Sequence, residues 1–66
     1  MNIVINGEPK KIAPDTDIHT LMEILGYDKN IGAVAVNMTF VASDKYAKTI
    51  LQEGDEVEIL APVCGG

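Results

Sequence analysis

The fold is constrained most by one short stretch of helical periodicity, because every other apolar run in the chain is only as long as a strand. Four apolar residues recur at i, i+3, i+4 and i+7 and form one stripe: Ile18, Leu21, Met22 and Leu25. The run Asp15-Thr16-Asp17 offers N-cap oxygens before the stripe, and Gly26 is a natural C-terminal stop. A single helix must bury such a stripe against a sheet, so the pattern predicts an α+β fold.

The start of the chain predicts a β-hairpin. Residues Met1–Ile5 alternate in polarity, as in a half-buried strand. Asn6-Gly7 then suits a two-residue type I′ turn, since both residues tolerate positive φ angles. We expect Glu8–Ala13 to be the returning strand, with Pro9 placing it at an edge of the sheet.

The second half of the chain predicts shorter elements. Ala33–Val36 is a dense apolar segment that we expect to be buried on both faces. The pattern then predicts a short strand at Phe40-Val41, a helical turn over 44–48 capped by Ser43, a turn at Glu53-Gly54-Asp55 and a last strand over 57–61. Pro62 ends that strand because it has no N–H for a ladder. We therefore expect a domain over residues 1–61 and a flexible tail over residues 62–66.

Charge narrows the choice of partner. The 66-residue chain has ten acidic residues against five lysines, a net charge of -5. Nucleic-acid binding needs a basic surface, so we expect no nucleic-acid partner. Four acids close together, Glu53, Asp55, Glu56 and Glu58, could steer the chain to a basic protein surface. The same negative charge favours a monomer when the protein is free.

Size and composition argue against an enzyme. A chain this short buries only about 60% of the surface that it exposes when unfolded, which leaves little room for an enclosed catalytic cleft. One cysteine and one histidine cannot form an internal disulfide or fill a structural zinc site, so we expect no bound metal. We see no signal peptide and no apolar run long enough to cross a membrane. We therefore expect a cytoplasmic protein with no membrane partner.

The sequence ends in Gly65-Gly66, and this pair is the main pointer to function. Neither residue has a Cβ, so the last peptide units can pass through a channel that is too narrow for other residues. A terminal diglycine is therefore a suitable handle for an enzyme that modifies the terminal carboxylate.

Four segments together resemble one family. A strand–hairpin–helix opening is followed by Val34-Ala35-Val36-Asn37, then by the run from Leu51 to Ile59 with its Gly54-Asp55 turn, and finally by the diglycine. This combination resembles the thiamine-biosynthesis sulfur carrier (ThiS-type) family of ubiquitin-like β-grasp proteins, over essentially the whole chain. The resemblance implies a mixed sheet with one helix packed across one face.

The resemblance also implies a role as a protein co-substrate and not as a catalyst. An adenylating, E1-like enzyme would use ATP to activate the carboxylate of Gly66, so the carrier itself would bind no cofactor. A sulfur donor such as a cysteine desulfurase would convert the adenylate to a thiocarboxylate, and thiazole synthase would receive the sulfur. Gly65 would allow passage of the tail through the active sites of these enzymes.

Other functions stay open at this point. Carriers for molybdopterin or amino-acid biosynthesis and ubiquitin-like protein modifiers share the β-grasp fold and the diglycine, and a β-grasp binding module is a further alternative. The Pro-Arg pair that is common in the family is replaced here by Ala42-Ser43, with Tyr46 as the aromatic residue of that segment. We expect this departure to change contacts with the activating enzyme, and it leaves open which activating enzyme the chain suits. A thiol enzyme built on Cys64 and His19 is the weakest alternative.

Two further hypotheses concern residues near the tail. Cys64 could be an accessory thiol, although the sequence places no base beside it to lower its pKa. Because Val57 and Ile59 should point inward, Leu60 should point outward. We therefore predict a docking patch for the activating enzyme, formed by Phe40, Leu60 and Val63 with Glu56 and Glu58 as its charged rim.

Overall fold

A mixed five-stranded sheet carries one α-helix across one of its faces. The computed structural model describes residues 1–63. The elements are β1 (Asn2–Ile5), β2 (Glu8–Lys11), α1 (Ile18–Leu25), β3 (Ala33–Val36), β4 (Thr39–Val41), a 3₁₀ helix (Ser43–Lys48) and β5 (Glu56–Leu60). The strand order is β2-β1-β5-β3-β4, in which β1 and β5 are parallel and the other neighbours are antiparallel. Over residues 1–63, neither helix has the length and apolar character needed to cross a membrane.

The predicted N-terminal hairpin is confirmed. Asn6 and Gly7 have φ angles of 49° and 82°, as a turn of the predicted kind requires. The turn pairs Ile5 with Glu8 and sets the register of β1 and β2. Strand β2 lies at the edge of the sheet, where Pro9 is tolerated because no further strand needs its missing N–H.

The helix begins and ends where the local signals predict. Asp17 is the N-cap and accepts a 2.6 Å hydrogen bond from the backbone N–H of Thr20. Gly26 ends the helix in the left-handed conformation, with a φ angle of 79°. The apolar stripe faces the sheet: Ile18, Leu21 and Met22 are buried and Leu25 is half-buried.

Asp17→Asn should be less stable than the wild type at neutral pH, and the difference should shrink in acid. The Thr20 N–H donates to the carboxylate and lowers the pKa of Asp17 below its ordinary value of 3.8. A lowered folded-state pKa stabilises the fold above the unfolded-state pKa, and this contribution is lost as the pH falls through the folded-state value. Thermal unfolding followed by circular dichroism from neutral to acidic pH would measure the difference. A difference that stays constant with pH would contradict the prediction.

The core lies between the helix and one face of the sheet. Its buried members come from the strands, the helices and the loop before β5: Ile3, Ile5, Ile18, Leu21, Met22, Val34, Tyr46, Leu51, Val57 and Ile59. Tyr46 enters it from the 3₁₀ helix, which covers the residues where a helical turn was predicted. The predicted cap of that turn is wrong, because Ser43 is already the first helical residue and Ala42 precedes it without a side-chain cap.

The prediction that β3 is buried on both faces is also wrong. Val34 is fully buried against the helix, whereas Ala33 and Ala35 are only half-buried on the opposite face. No element in residues 1–63 covers that opposite face as the helix covers the core face. Ala33 and Ala35 are small and apolar, so the sequence of β3 resembled that of a strand buried on both faces. These two residues instead line an open surface.

Candidate functional site at the end of the last strand

The chain leaves the sheet after β5 and turns towards the loop that follows α1. Pro62 cannot donate a backbone hydrogen bond, but its carbonyl accepts one of 2.7 Å from the N–H of Asp28. Tyr27 and Val63 then form an isolated antiparallel bridge. The segment that leads to the diglycine is thus attached at residues 62 and 63 to the end of the helix.

Three residues of the predicted tail, Cys64, Gly65 and Gly66, lie outside the described residues. The predicted adenylation site at Gly66, the passage role of Gly65 and the accessory thiol of Cys64 therefore stay predictions. The boundary predicted between the domain and its tail also stays a prediction. The structure describes the surfaces from which those residues extend.

The face of the sheet opposite the helix carries an apolar depression. Along β5, Val57 and Ile59 are buried while Glu56, Glu58 and Leu60 are exposed, as the alternation predicted. The register places Leu60 opposite Ala33, and it places Glu58 and Phe40 on either side of Ala35. These small alanines leave a depression of about 300 Å³ between larger side chains. We call this surface the open-face patch: Ala33, Ala35, Met38, Phe40, Glu58 and Leu60.

The open-face patch unites most of the predicted docking residues. Phe40 and Leu60 are 75% and 67% exposed and border the same depression as Glu58. Glu56 projects from the same face of β5, two residues before Glu58. Val63 is placed elsewhere, in a cleft with Leu25 and Tyr27 that lies beside Gly26.

Met38 belongs to the patch but was missed in the sequence. It is 94% exposed and has a φ angle of 69°, next to Asn37 with a φ angle of 50°. Left-handed backbone is unusual for methionine and is found mainly at turns or functional positions. Asn37, which lies between two short strands, could have predicted a tight turn, and such a turn exposes the side chain of the next residue.

The predicted acidic cluster divides into two pairs with different surroundings. The Glu53 carboxylate accepts from the Asn2 backbone N–H at 3.1 and 3.2 Å. The Asp55 carboxylate accepts from the Asn37 side chain at 3.1 Å and from the Gln52 backbone N–H at 2.8 Å. These two acids hold the turn before β5. The carboxylates of Glu56 and Glu58 are exposed on the open face, where they can meet a basic partner.

On the surface of α1, His19 lies beside two charged side chains. It is half-buried on α1, with its Nε2 atom 3.4 Å from an oxygen of Glu23 and 3.1 Å from the Lys29 ammonium. The thiol-enzyme alternative needs Cys64, which lies outside the described residues. Among residues 1–63, no group of three or more histidine, cysteine, aspartate or glutamate side chains could hold a metal ion.

The fold is that of a ubiquitin-like β-grasp protein. Its defining features are the strand order, the single helix across one face and a C-terminal segment that leaves from the central strand. The predicted fold class is confirmed. A sequence model described as the ThiS family matches residues 3–66, so the chain belongs to the ThiS family.

Known relatives agree with this assignment. The sulfur carrier protein ThiS of Escherichia coli K12 is 29% identical over 66 residues, which cover all of both chains. A protein named thiazole synthase from Paramagnetospirillum magneticum is 35% identical over all of this chain, which spans only 20% of that longer relative. The crystal structure of the thiamine biosynthesis protein ThiS from Geobacter metallireducens superposes with a TM-score of 0.84, at 26% identity and with full coverage of both chains.

Proposed function

We propose that this protein is a sulfur carrier for thiazole formation in thiamine biosynthesis, and that Gly66 carries the sulfur as a thiocarboxylate. The observation that carries the proposal is the match over the full length of both chains to the E. coli sulfur carrier protein. The family match, which extends to Gly66, adds support because it includes the diglycine. These relatives favour the thiamine pathway over the molybdopterin, amino-acid and modifier alternatives.

The chemistry requires an activated terminal carboxylate. A carboxylate is a poor electrophile, so the Gly66 carboxylate would first attack the α-phosphorus of ATP and release pyrophosphate. The terminal sulfur of a protein persulfide would then attack the carbonyl carbon of the acyl-adenylate and displace AMP. A second thiol would form a disulfide with the remaining donor sulfur and release the thiocarboxylate. ATP would supply the adenylyl group, partner enzymes would supply the persulfide and the second thiol, and the carrier would be their co-substrate.

Thiazole synthase is the proposed recipient of the sulfur. Support comes from the relative named thiazole synthase, a fifth of which matches this chain. When carrier and synthase share one chain, the local concentration of the carrier is set by the connecting segment, reaching the millimolar range for short flexible linkers. A carrier on a separate chain needs a docking surface to meet its partner enzyme at a comparable rate. The adenylating enzyme and the sulfur-donating desulfurase are proposed on chemical grounds, and cytoplasmic location stays a prediction.

Intact-mass spectrometry tests the proposed function. The purified 66-residue chain would be incubated with ATP, a ThiS-activating enzyme and a persulfide donor. We expect a mass increase equal to the replacement of one oxygen by sulfur, located at Gly66 by fragmentation. An unmodified chain under conditions that modify the E. coli relative would overturn the proposal. A covalent adduct on lysine would instead favour a protein modifier.

We also propose that the open-face patch docks on the adenylating enzyme. Phe40 and Leu60 supply apolar area around the depression, and Glu56 and Glu58 supply a negative rim for a basic surface. Apolar anchors at the centre of an interface with charges at its edge are the usual arrangement for binding and steering. The patch lies on the face opposite α1, so a partner can bind it without contacting the packed helix.

Leu60→Asp should raise the KM of the adenylating enzyme for this carrier by about tenfold or more. Loss of a central apolar contact can cost at least about 1.4 kcal/mol of binding energy. Ile24→Asp is the matched control, because Ile24 is 66% exposed against 67% for Leu60 but lies on α1. Steady-state pyrophosphate release at varied carrier concentration would give the two KM values. Equal KM values for the two folded variants would count against docking through this patch.

A further inference from the structure

The side chain of Asn6 extends the sheet beyond the point where β1 ends. The backbone N–H of Asn6 donates to the Val57 carbonyl at 2.9 Å, which is the last bond of β1 to β5. The chain then turns away through Gly7. The Asn6 carboxamide takes the place of the next peptide group: Oδ1 accepts from the Ile59 N–H at 2.8 Å and Nδ2 donates to the Ile59 carbonyl at 3.3 Å.

The same amide reaches the loop that holds the C-terminal segment. Nδ2 of Asn6 lies 3.5 Å from the hydroxyl of Tyr27, and Tyr27 forms the bridge with Val63. The neighbouring Asp28 N–H bonds to the carbonyl of Pro62. The edge of β5 that faces β1 is therefore held in succession by the Asn6 backbone, the Asn6 side chain and the Asp28 backbone.

Side-chain packing alone does not hold the end of this segment. Val63 is 61% exposed, and its side chain borders an open cleft of about 290 Å³. Its position therefore depends mainly on the backbone bonds at Ile59 and Pro62. A change in the first of these bonds should move the residue from which the C-terminal residues extend.

We infer that Asn6 is a positioning residue that sets where the C-terminal segment leaves the domain, and thereby how well Gly66 reaches the active site of the adenylating enzyme. The inference rests on the proposed function. Asn6 itself touches no reacting atom. Its effect should appear in the turnover of the docked carrier and not in docking, because it lies at the end of the hairpin and not in the open-face patch.

The chain contains a close internal control for this idea. Asn37 is also the first residue of a hairpin turn with a positive φ angle, 50° against 49° for Asn6. Its side chain also bonds to β5, but at the start of the strand: Oδ1 accepts from the Glu56 N–H at 3.0 Å. Asn6→Gly and Asn37→Gly therefore remove the same group from equivalent turns at opposite ends of β5. Glycine keeps both turns accessible.

Two measurements on both variants test the inference. In amide hydrogen exchange, Asn6→Gly should speed exchange at Ile59 and Asp28, while Asn37→Gly should affect Glu56 and leave Asp28 unchanged. In thiocarboxylate formation, Asn6→Gly should lower kcat about tenfold with an unchanged KM, since displacing a reacting group by even 1 Å can cost more than this. Asn37→Gly should leave kcat near that of the wild type, and its KM is not part of the control because Asn37 precedes Met38 of the open-face patch. Asn6→Asp keeps the acceptor for the Ile59 N–H but places an oxygen where Nδ2 donates to the Ile59 carbonyl. Its exchange protection and kcat should therefore fall between those of Asn6→Gly and the wild type, and this intermediate loss is the one to measure if Asn6→Gly does not fold.

Equal effects of the two glycine variants on kcat, or a kcat of Asn6→Gly equal to that of the wild type, would overturn the positioning role. If the wild-type chain receives no sulfur, the proposed function fails. The hydrogen-exchange data then decide on their own whether Asn6 holds the C-terminal segment. Faster exchange at Asp28 in Asn6→Gly alone would still support a role for Asn6 in holding the segment. Unchanged exchange there would reject it.

Discussion

A chain that carries one alanine after Gly66 should form no thiocarboxylate, although its domain should fold as the wild type does. One extra extended residue moves the terminal carboxylate by about 3.3–3.6 Å and adds a Cβ after the diglycine. Misplacement of a reacting atom by even 1 Å can lower a rate by about 100-fold. The proposed adenylation step should therefore fall below detection.

The measurement is the intact-mass assay described above, together with thermal unfolding of the extended chain. The matched control is Cys64→Ser, which alters the same segment but keeps its length and its last two residues. We expect wild-type sulfur loading for Cys64→Ser, because nothing in the sequence activates that thiol. Full loading of the extended chain would refute the role of Gly66, and loss of loading in Cys64→Ser would assign a function to the thiol.

Gly32→Ala should be the most destabilising single methyl addition among the glycines at positions 7, 26, 32 and 54. A Cβ at Gly32 would lie 2.0 Å from the Leu60 carbonyl oxygen and 2.8 Å from the Ala61 Cα. Both contacts are with backbone, so no side chain can move away to relieve them. The φ angle of 106° adds strain for any residue with a Cβ. We expect a loss of about 2–6 kcal/mol, from overpacking of about 1–3 kcal/mol and backbone strain of similar size.

Such a loss is comparable with the whole stability of a small domain, which is about 0.05–0.15 kcal/mol per residue. Gly54→Ala is the control, because Gly54 has a φ angle of 83° but open space where a Cβ would be. It should lose only the strain contribution, about 1–2 kcal/mol. Urea unfolding of both variants would separate the two effects. Equal losses would show that the close approach of Gly32 to β5 is not a constraint on the folded state.

The elements that could be predicted from the sequence are those whose signals are local. The helix was predicted from cap residues in the run Asp15-Thr16-Asp17, a stripe of period 3.6 and the stop at Gly26. The structure confirms all three signals, with Asp17 as the cap. The turn at Asn6-Gly7 is likewise determined by the φ preferences of its own residues. The alternation that points Leu60 outward follows from strand geometry alone.

The predictions failed where the burial or the bonds of a residue depend on segments that are distant in the sequence. The expectation of two buried faces for β3 failed because the composition of Ala33–Val36 does not show that the single helix covers only one face. The bond between the Asn6 side chain and β5 could not be predicted either, since an asparagine in a turn is usually explained by its own backbone preferences. The contact of Asn6 with Ile59 joins residues 53 positions apart.

The sequence alone determined the helix, the first hairpin and the outward direction of Leu60, because each depends on conformational preferences within a few residues. The chemistry proposed for the diglycine came from the resemblance of the whole sequence to the ThiS-type family. The tertiary structure decided that β5 lies between β1 and β3, that Phe40 and Leu60 share the open-face patch, and that Val63 lies beside α1 instead. These features depend on pairing and burial between distant segments, whose free energies are realised only when the whole chain is folded.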